Sequence, residues 1–404
     1  MTQRALTGWG GTEMITIEVA NELQRRGHEV AVFSPRLGIP ASLMQSNGVW
    51  VKSRLNEIPW TPDVIHGHHH LQAMAALSYF GDTPAIFCSH GSSQWAEQVP
   101  IHDRIRQYVV MSEGMVPRLG PMYGVSPALV TVVPNFVNTK RFSTVRQAPA
   151  RPARALLFGG SGFSQEELSG IEAACADQGL SLDKIGYAYE NPRPRPETFL
   201  PDYDLVFAIG RCAIEALASG CAVIPIVPGQ AGNLVTPENF DDCAYTNFAP
   251  RYFRSGTQVG TDWLKAELAH YRPEATAQVT ERVRSTRSLD QAVDRFEALC
   301  AKAIGDPKST GRRQAPGEFA AYLEKLSAEV DILLAHEMEV EGLRAQLRSR
   351  EKYIEYLQRH LFVLYRTSIG YSLLKFAGKI FARGRKIWLR RQRHLLRQRF
   401  GQLR

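Results

Sequence analysis

The chain has 404 residues, 44% of them hydrophobic and 22% charged, with a formal net charge of +8. No apolar run approaches the ~20 residues of a spanning helix, no secretory signal opens the chain, and the six cysteines (Cys88, Cys175, Cys212, Cys221, Cys243, Cys300) lack a C-x-x-C pair. These features exclude a transmembrane span and a disulfide framework, and predict a soluble or peripheral protein with reduced thiols and room for two domains plus an appendage. The charge is unevenly placed. Twelve basic residues and no acidic ones fall within 366–404, so residues 1–365 carry a net −4 and the basicity belongs to one tail.

In chain order, the first predicted element is a helix over 13–26, ended by Gly27. It opens on GWGGTE, residues 8–13. Glycines let a backbone approach a ligand closely and a helix N-terminus favours an anion; a tight turn is the alternative reading. Such a loop normally follows the central strand of a sheet, yet MTQRALT, residues 1–7, is too polar and short for a buried strand. Either the reading frame begins upstream or the domain lacks that strand. Short runs at 29–34, 48–51, 63–66, 85–89, 108–112 and 130–134 predict buried parallel strands separated by helix-length segments. Residues 1–140 therefore read as a doubly wound α/β domain without its first strand.

Five histidines sit at strand ends: His66, His68, His69, His70 and His90. The H-x-H-H-H run can be read as a metal site. Consecutive residues leaving a strand point in different directions, however, and no carboxylate or thiol neighbour in sequence completes a shell, so no metal is predicted. His90 ends an apolar strand and precedes Gly91, at the carboxyl edge where ligands bind in open α/β sheets.

Residues 138–154 form a Pro/Arg/Ala-rich joint, and a second domain over 141–305 resumes the alternation. A strand over 155–158 runs into Gly159-Gly160-Ser161-Gly162, followed by a helix over 165–178 and strands over 182–187 and 204–207. Asp202 and Asp204 have the D-x-D spacing of a metal motif but precede their strand rather than leaving it, so they are not assigned a metal. The strongest local signal is FAIGRCAIEALASGCAV, residues 207–223. A strand turns at Gly210 into a helix with Ala213, Ile214, Ala216 and Leu217 on its apolar face, and Gly220 stops it before a strand over 222–227. This geometry aims backbone N–H groups and a helix dipole at a phosphate, with Glu215 one turn in, placed for a ribose diol. Helices over 261–271 and 274–304 are expected to close the domain.

GGTE…NELQRRGHEVAVFSP, DVIHGHH, FCSHG, VVMSEGM and VTVVPNFVNTKRF, then FAIGRCAIEALASGCAVI and VTPENFD, resemble in order the GT-B glycosyltransferases of family four, over roughly residues 8–300. The resemblance implies two Rossmann-like domains with a nucleotide-sugar donor in the cleft between them. It further implies retaining transfer, hexosyl or related, with no metal and no cofactor beyond the co-substrate. Position by position, it implies that Gly10 and Gly11 contact the donor phosphates or shape the acceptor side and that His90 bonds the donor sugar. Gly210 and the neighbouring amides of Arg211 and Cys212 hold the diphosphate, and Glu215 the ribose; His90 and Glu215 are the catalytic candidates. Two departures stand out. The family's paired carboxylate falls at Phe207, and residues 159–163 offer no cation, which leaves Arg211 as the expected source of phosphate-binding charge. A degenerate GT-B scaffold is the rival reading, and a dehydrogenase is disfavoured because no G-x-G-x-x-G with a downstream acid appears.

After a linker over 306–317, Phe319, Leu326, Leu333, Val340, Leu347, Ile354 and Leu361 recur every seventh residue, predicting a coiled coil over 318–365 and a homodimer; a helix lying on the protein's own surface is the alternative. The tail, 366–404, mixes its basic residues with Tyr371, Phe376, Ile380, Phe381, Trp388 and Phe400. That pattern suits an anionic membrane surface better than nucleic acid. The expectation is a cytoplasmic protein, peripheral to the inner face of a membrane, acting on a glycan or lipid-linked acceptor in cell-surface polysaccharide synthesis.

Overall fold

Residues 1–3 occupy the place of the central strand. In the computed structural model, which describes residues 1–91, 95–160, 162–250, 259–306 and 316–365, Gln3 N donates to Phe33 O and Phe33 N to Met1 O, both at 2.9 Å. On the other side Thr2 N donates to His66 O at 3.1 Å, and the Thr2 hydroxyl bonds the backbone of His68. This short extended piece joins β1 (Ala31–Phe33) and β2 (Trp50–Lys52) to a parallel sheet of β3 (Ile65–His68), β4 (Ala85–Ser89), β5 (Ile105–Val110) and β6 (Val130–Val132). The expected gap in the sheet is therefore filled. Thr2 and Gln3 are buried although polar, because the ladder and the Thr2 hydroxyl satisfy their hydrogen-bonding groups.

Helices α1 (Gly11–Arg25), α2 (Ile39–Ser46), α3 (His70–Tyr79) and α4 (Val116–Tyr123) accompany these strands. Ile86, Phe87, Met74 and Leu77 form the centre of the core. The second sheet is parallel, in the order β10-β9-β7-β8, built from β7 (Arg154–Phe158), β8 (Ser181–Ile185), β9 (Leu205–Phe207) and β10 (Ala222–Ile224). Around it lie α5 (Gln165–Asp177), α6 (Gly210–Ala218), α7 (Phe240–Tyr245), α8 (Thr261–Leu268) and α9 (Pro273–Thr286). Asp204 accepts the amides of Ala153 and Arg154 at 2.8 Å and pairs with Arg146 at 2.5 Å, a structural use of its carboxylate.

The helix predicted over 274–304 is two helices. Ser288 caps α10 (Leu289–Ile304), its side chain accepting from Gln291 N, and α10 returns to the first domain. Leu289, Val293 and Phe296 bury themselves in the first core rather than closing the second.

The chain divides into two compact units, Met1–Tyr322 and Leu323–Arg404. Both doubly wound domains belong to the first. Helix α11 (Pro316–Tyr365) realises the long helix read from the heptads, and Val340, Leu347 and Ile354 along it are 45%, 54% and 51% exposed. The side chains of Phe319, Leu333 and Leu361, and all of the basic tail, lie outside the described residues. Among the described residues no helix is long and apolar enough to cross a membrane.

Candidate active site

The carboxyl ends of the two sheets face a cleft with two adjoining chambers of about 1000 and 730 Å³. Gly10, Gly11, Tyr187, Arg211 and Cys212 border both. The larger lies over the second sheet, where Phe158, Gly159, Ile185 and Gly186 leave β7 and β8, and Glu215 borders it. The smaller is lined by His90, Gly210, Arg4 and Arg36. The sequence-predicted residues thus converge, but several do so in unexpected roles.

The glycine loop is closed on itself. Glu13, at the third position of α1, accepts the amides of Thr7, Gly8 and Gly10 at 2.9–3.1 Å, and Trp9 N donates to the Tyr187 hydroxyl at 2.9 Å. These amides are therefore engaged by Glu13 and Tyr187, and Gly10 and Gly11 line both chambers. A side chain at Gly8 or Gly10 would meet Tyr187 or Glu13 within 3 Å. Gly210 likewise gives its amide to Asn247 O at 3.0 Å. That leaves the amides of Arg211 and Cys212 as first-turn donors of α6 without an acceptor in the helix.

Arg211 is the largest correction. Instead of offering a free charge, it is buried, with Nη2 2.6 Å from Glu18 and Nε 2.8 Å from Glu215. Glu18 comes from α1, so this contact ties the two domains together. Arg141 adds bonds to Glu18 at 2.8 Å and Glu197 at 2.7 Å, and approaches Glu215 at 3.6 Å. With Arg195, whose Nε lies 3.3 Å from Glu197, three guanidiniums serve three carboxylates. Burial works against the Arg211 charge, but Glu18 and Glu215 outweigh it and its pKa is raised; burial also raises that of Glu215, against the pull of Arg211 and Arg141. The charges of Arg211 and Arg141 are thus met by carboxylates already in the wall. Arg4 and Arg36 make no ion pair among the described residues, and they bring uncompensated positive charge to the smaller chamber.

His90 closes that chamber. Its Nε2 lies 2.6 Å from His68 Nδ1 and its backbone N–H donates to Glu97 at 3.3 Å, while Glu97 pairs with His69 at 3.3 Å. Burial lowers the His90 pKa to about 4, so the ring is neutral near pH 7 and suited to a hydroxyl rather than an anion. Burial holds the Cys212 thiol up at about 12, which removes it as a nucleophile. Phe207 is buried in the second core beside Trp263, facing away from the cleft. Glu18, Arg141, Tyr187, Arg4 and Arg36 were not visible as site residues in the sequence, because their partners lie on other elements of the fold.

Two doubly wound domains with ligand-binding strand ends facing a shared cleft define the GT-B glycosyltransferase fold. Residues 9–141 match the family model described as Glycosyltransferase Family 4. The fold resembles a glycosyltransferase from Rickettsia africae (14% identity, 76% of this chain and 98% of that one, TM-score 0.52). It also resembles Anabaena HepE in complex with UDP (13% identity, 74% and 99%, TM-score 0.53). A third similar structure is WaaG, a glycosyltransferase involved in lipopolysaccharide biosynthesis (12% identity, 74% and 98%, TM-score 0.50). No curated protein matches the chain by sequence.

Proposed function

We propose that the chain is a retaining glycosyltransferase that moves a sugar, hexosyl or related, from a nucleoside diphosphate donor to a glycan or lipid-linked acceptor without a metal in the transfer step. The observation that carries this is the pair of arginines, Arg4 and Arg36, that make no ion pair among the described residues and border the smaller chamber beside the first turn of α6. Glu215 borders the larger chamber, where glutamates and arginines alternate, and its carboxylate suits a ribose diol. Arg4, Arg36 and the N-terminal turn of α6 border the smaller one, which suits the diphosphate, with neutral His90 placed for a sugar hydroxyl. As the leaving diphosphate gains charge, the α6 amides and the two arginines stabilise it. That HepE was solved with UDP makes UDP the first probe.

Titration with UDP, GDP and ADP tests the reading. One diphosphate is expected to bind saturably, and Glu215→Gln to weaken it. Arg4→Ala combined with Arg36→Ala should weaken the diphosphate roughly tenfold or more while leaving the free nucleoside unchanged, since only the diphosphate loses charge-assisted bonds. Equal losses for nucleoside and diphosphate would remove the arginines from this role. Failure of every diphosphate to bind would favour a degenerate GT-B scaffold, the reading supported by Phe207 in the core and by a Gly159-Gly160 turn without a cation.

For the appendage we propose a homodimeric coiled coil through the α11 heptads and a tail that binds the anionic inner face of a membrane, supporting cell-surface polysaccharide synthesis from the cytoplasm. Sedimentation equilibrium of the full chain checks the dimer. Flotation with phosphatidylserine liposomes should retain the full chain and release one ending at residue 365; equal flotation of both would refute the tail's role.

A further inference from the structure

The H-x-H pattern on β3 meets a C-x-H pattern on β4 in parallel register. His66 and His68 alternate along β3 and share one face, and Cys88 pairs with His68 across the ladder. His66 Nε2 lies 3.0 Å from Cys88 Sγ, the rings of His66 and His68 stack at 4.7 Å, and one donor atom from each of the three residues lies within 4.8 Å of the others. All three are buried, at 4%, 0% and 0% exposure. The thiol neighbour that sequence alone did not supply therefore arrives from the adjacent strand.

This cluster has unmet bonding capacity. His66 Nδ1 and His68 Nε2 are buried without a hydrogen-bond partner among the described residues. An unpaired ring nitrogen shielded from water is costly, and two beside a thiol need an explanation.

We propose that His66, His68 and Cys88 form a buried binding site for a soft or borderline d10 ion, Cu(I) or Zn(II). Imidazole with a thiolate selects these ions, and three donors without an oxygen ligand exclude Ca²⁺ and Mg²⁺. Metal–nitrogen and metal–sulfur bonds of about 2.0 and 2.3 Å require the donors to close in by roughly an ångström from their widest separation. As the metal–sulfur bond forms, the Cys88 thiol proton leaves to solvent. One thiolate neutralises Cu(I) but leaves Zn(II) with a positive charge in a buried site, so Cu(I) is the tighter ligand. His68 Nδ1 is already engaged by His90, which leaves Nε2 for the ion. Ligation there keeps the proton on Nδ1, which donates to His90 and fixes the tautomer that His90 presents to the cleft. The site is a positioning device behind the cleft, and its occupancy is independent of the transferase reading.

The full chain, without an affinity tag, is titrated anaerobically with Cu(I) and separately with Zn(II) against a chromophoric chelator, with bound metal measured by mass spectrometry. One equivalent is expected. Affinity should fall at least about tenfold in Cys88→Ser and in His66→Gln, and remain unchanged in Cys175→Ala, which removes an equally buried thiol in the second domain. Metal should also raise the thermal midpoint of the unaltered chain. Preference for one ion identifies it. Failure of the unaltered chain to hold either ion against the chelator, or equal retention by all three variants, overturns the site and leaves a neutral hydrogen-bonded stack.

Discussion

Replacing Arg211 with methionine is expected to destabilise the first unit by about 3 kcal/mol or more, read as a fall of several degrees in the thermal midpoint. Glu18 and Glu215 are 5% and 4% exposed and sit 2.6 and 2.8 Å from the guanidinium. Removing that cation leaves the buried Glu18 and Glu215 to Arg141 alone, which also serves Glu197. An uncompensated buried charge costs about 3–5 kcal/mol, far more than the loss of an exposed pair. Adding Glu18→Gln to Arg211→Met should recover part of the loss, because the charge without a counterion is then gone; a double-mutant cycle measures the coupling. The contact links α1 of the first domain to α6 of the second, so the loss is expected to loosen the two domains relative to each other as well. A midpoint within about a degree of the unaltered chain would show that Arg211 is not structural, and would return it to the phosphate-binding role read from the sequence.

That correction illustrates what the sequence could and could not show. Most strands of both sheets were legible because a buried parallel strand is a continuous apolar run. The α6 turn was legible because Gly210 and Gly220 punctuate a helix with one apolar face. Residues 1–3 were not, since three residues hold no hydropathy pattern and their strand character rests on bonds to Phe33 and His66. The return of α10 to the first domain was hidden because an amphipathic face does not name the core it packs on; only the Ser288–Gln291 cap marked a new helix. Arg211 looked like a free cation because Glu18 is 193 positions away in the chain. The thiol beside His66 was missed for the same reason, being supplied by a neighbouring strand 22 residues on. Periodicity encodes which face is buried; it does not encode the partner on the other side.

Gly186→Ala should abolish nucleotide binding in the larger chamber and destabilise the second domain by roughly 2–4 kcal/mol. Gly186 follows β8 at φ +151°, a backbone conformation that L side chains rarely adopt. A Cβ placed there would stand 1.8 Å from Gly159 O and 2.8 Å from Gly159 C. No side-chain rotation relieves that clash, because the obstacle is a peptide group. Gly159 is itself tied to the second sheet by its amide, which donates to Ile185 O at 3.0 Å, so the turn leaving β7 has to separate from the turn leaving β8. Both turns line the larger chamber, and parting them by about an ångström removes the wall against which a nucleoside would lie. Gly160→Ala is the matched control: a Cβ there meets nothing within 4 Å, and its stability and binding are expected to stay within about 0.5 kcal/mol of the unaltered chain. If both variants bind UDP alike, the larger chamber is not the nucleoside site. Loss confined to Gly186→Ala places the nucleoside against this pair of turns, because the two substitutions differ in the backbone that each displaces.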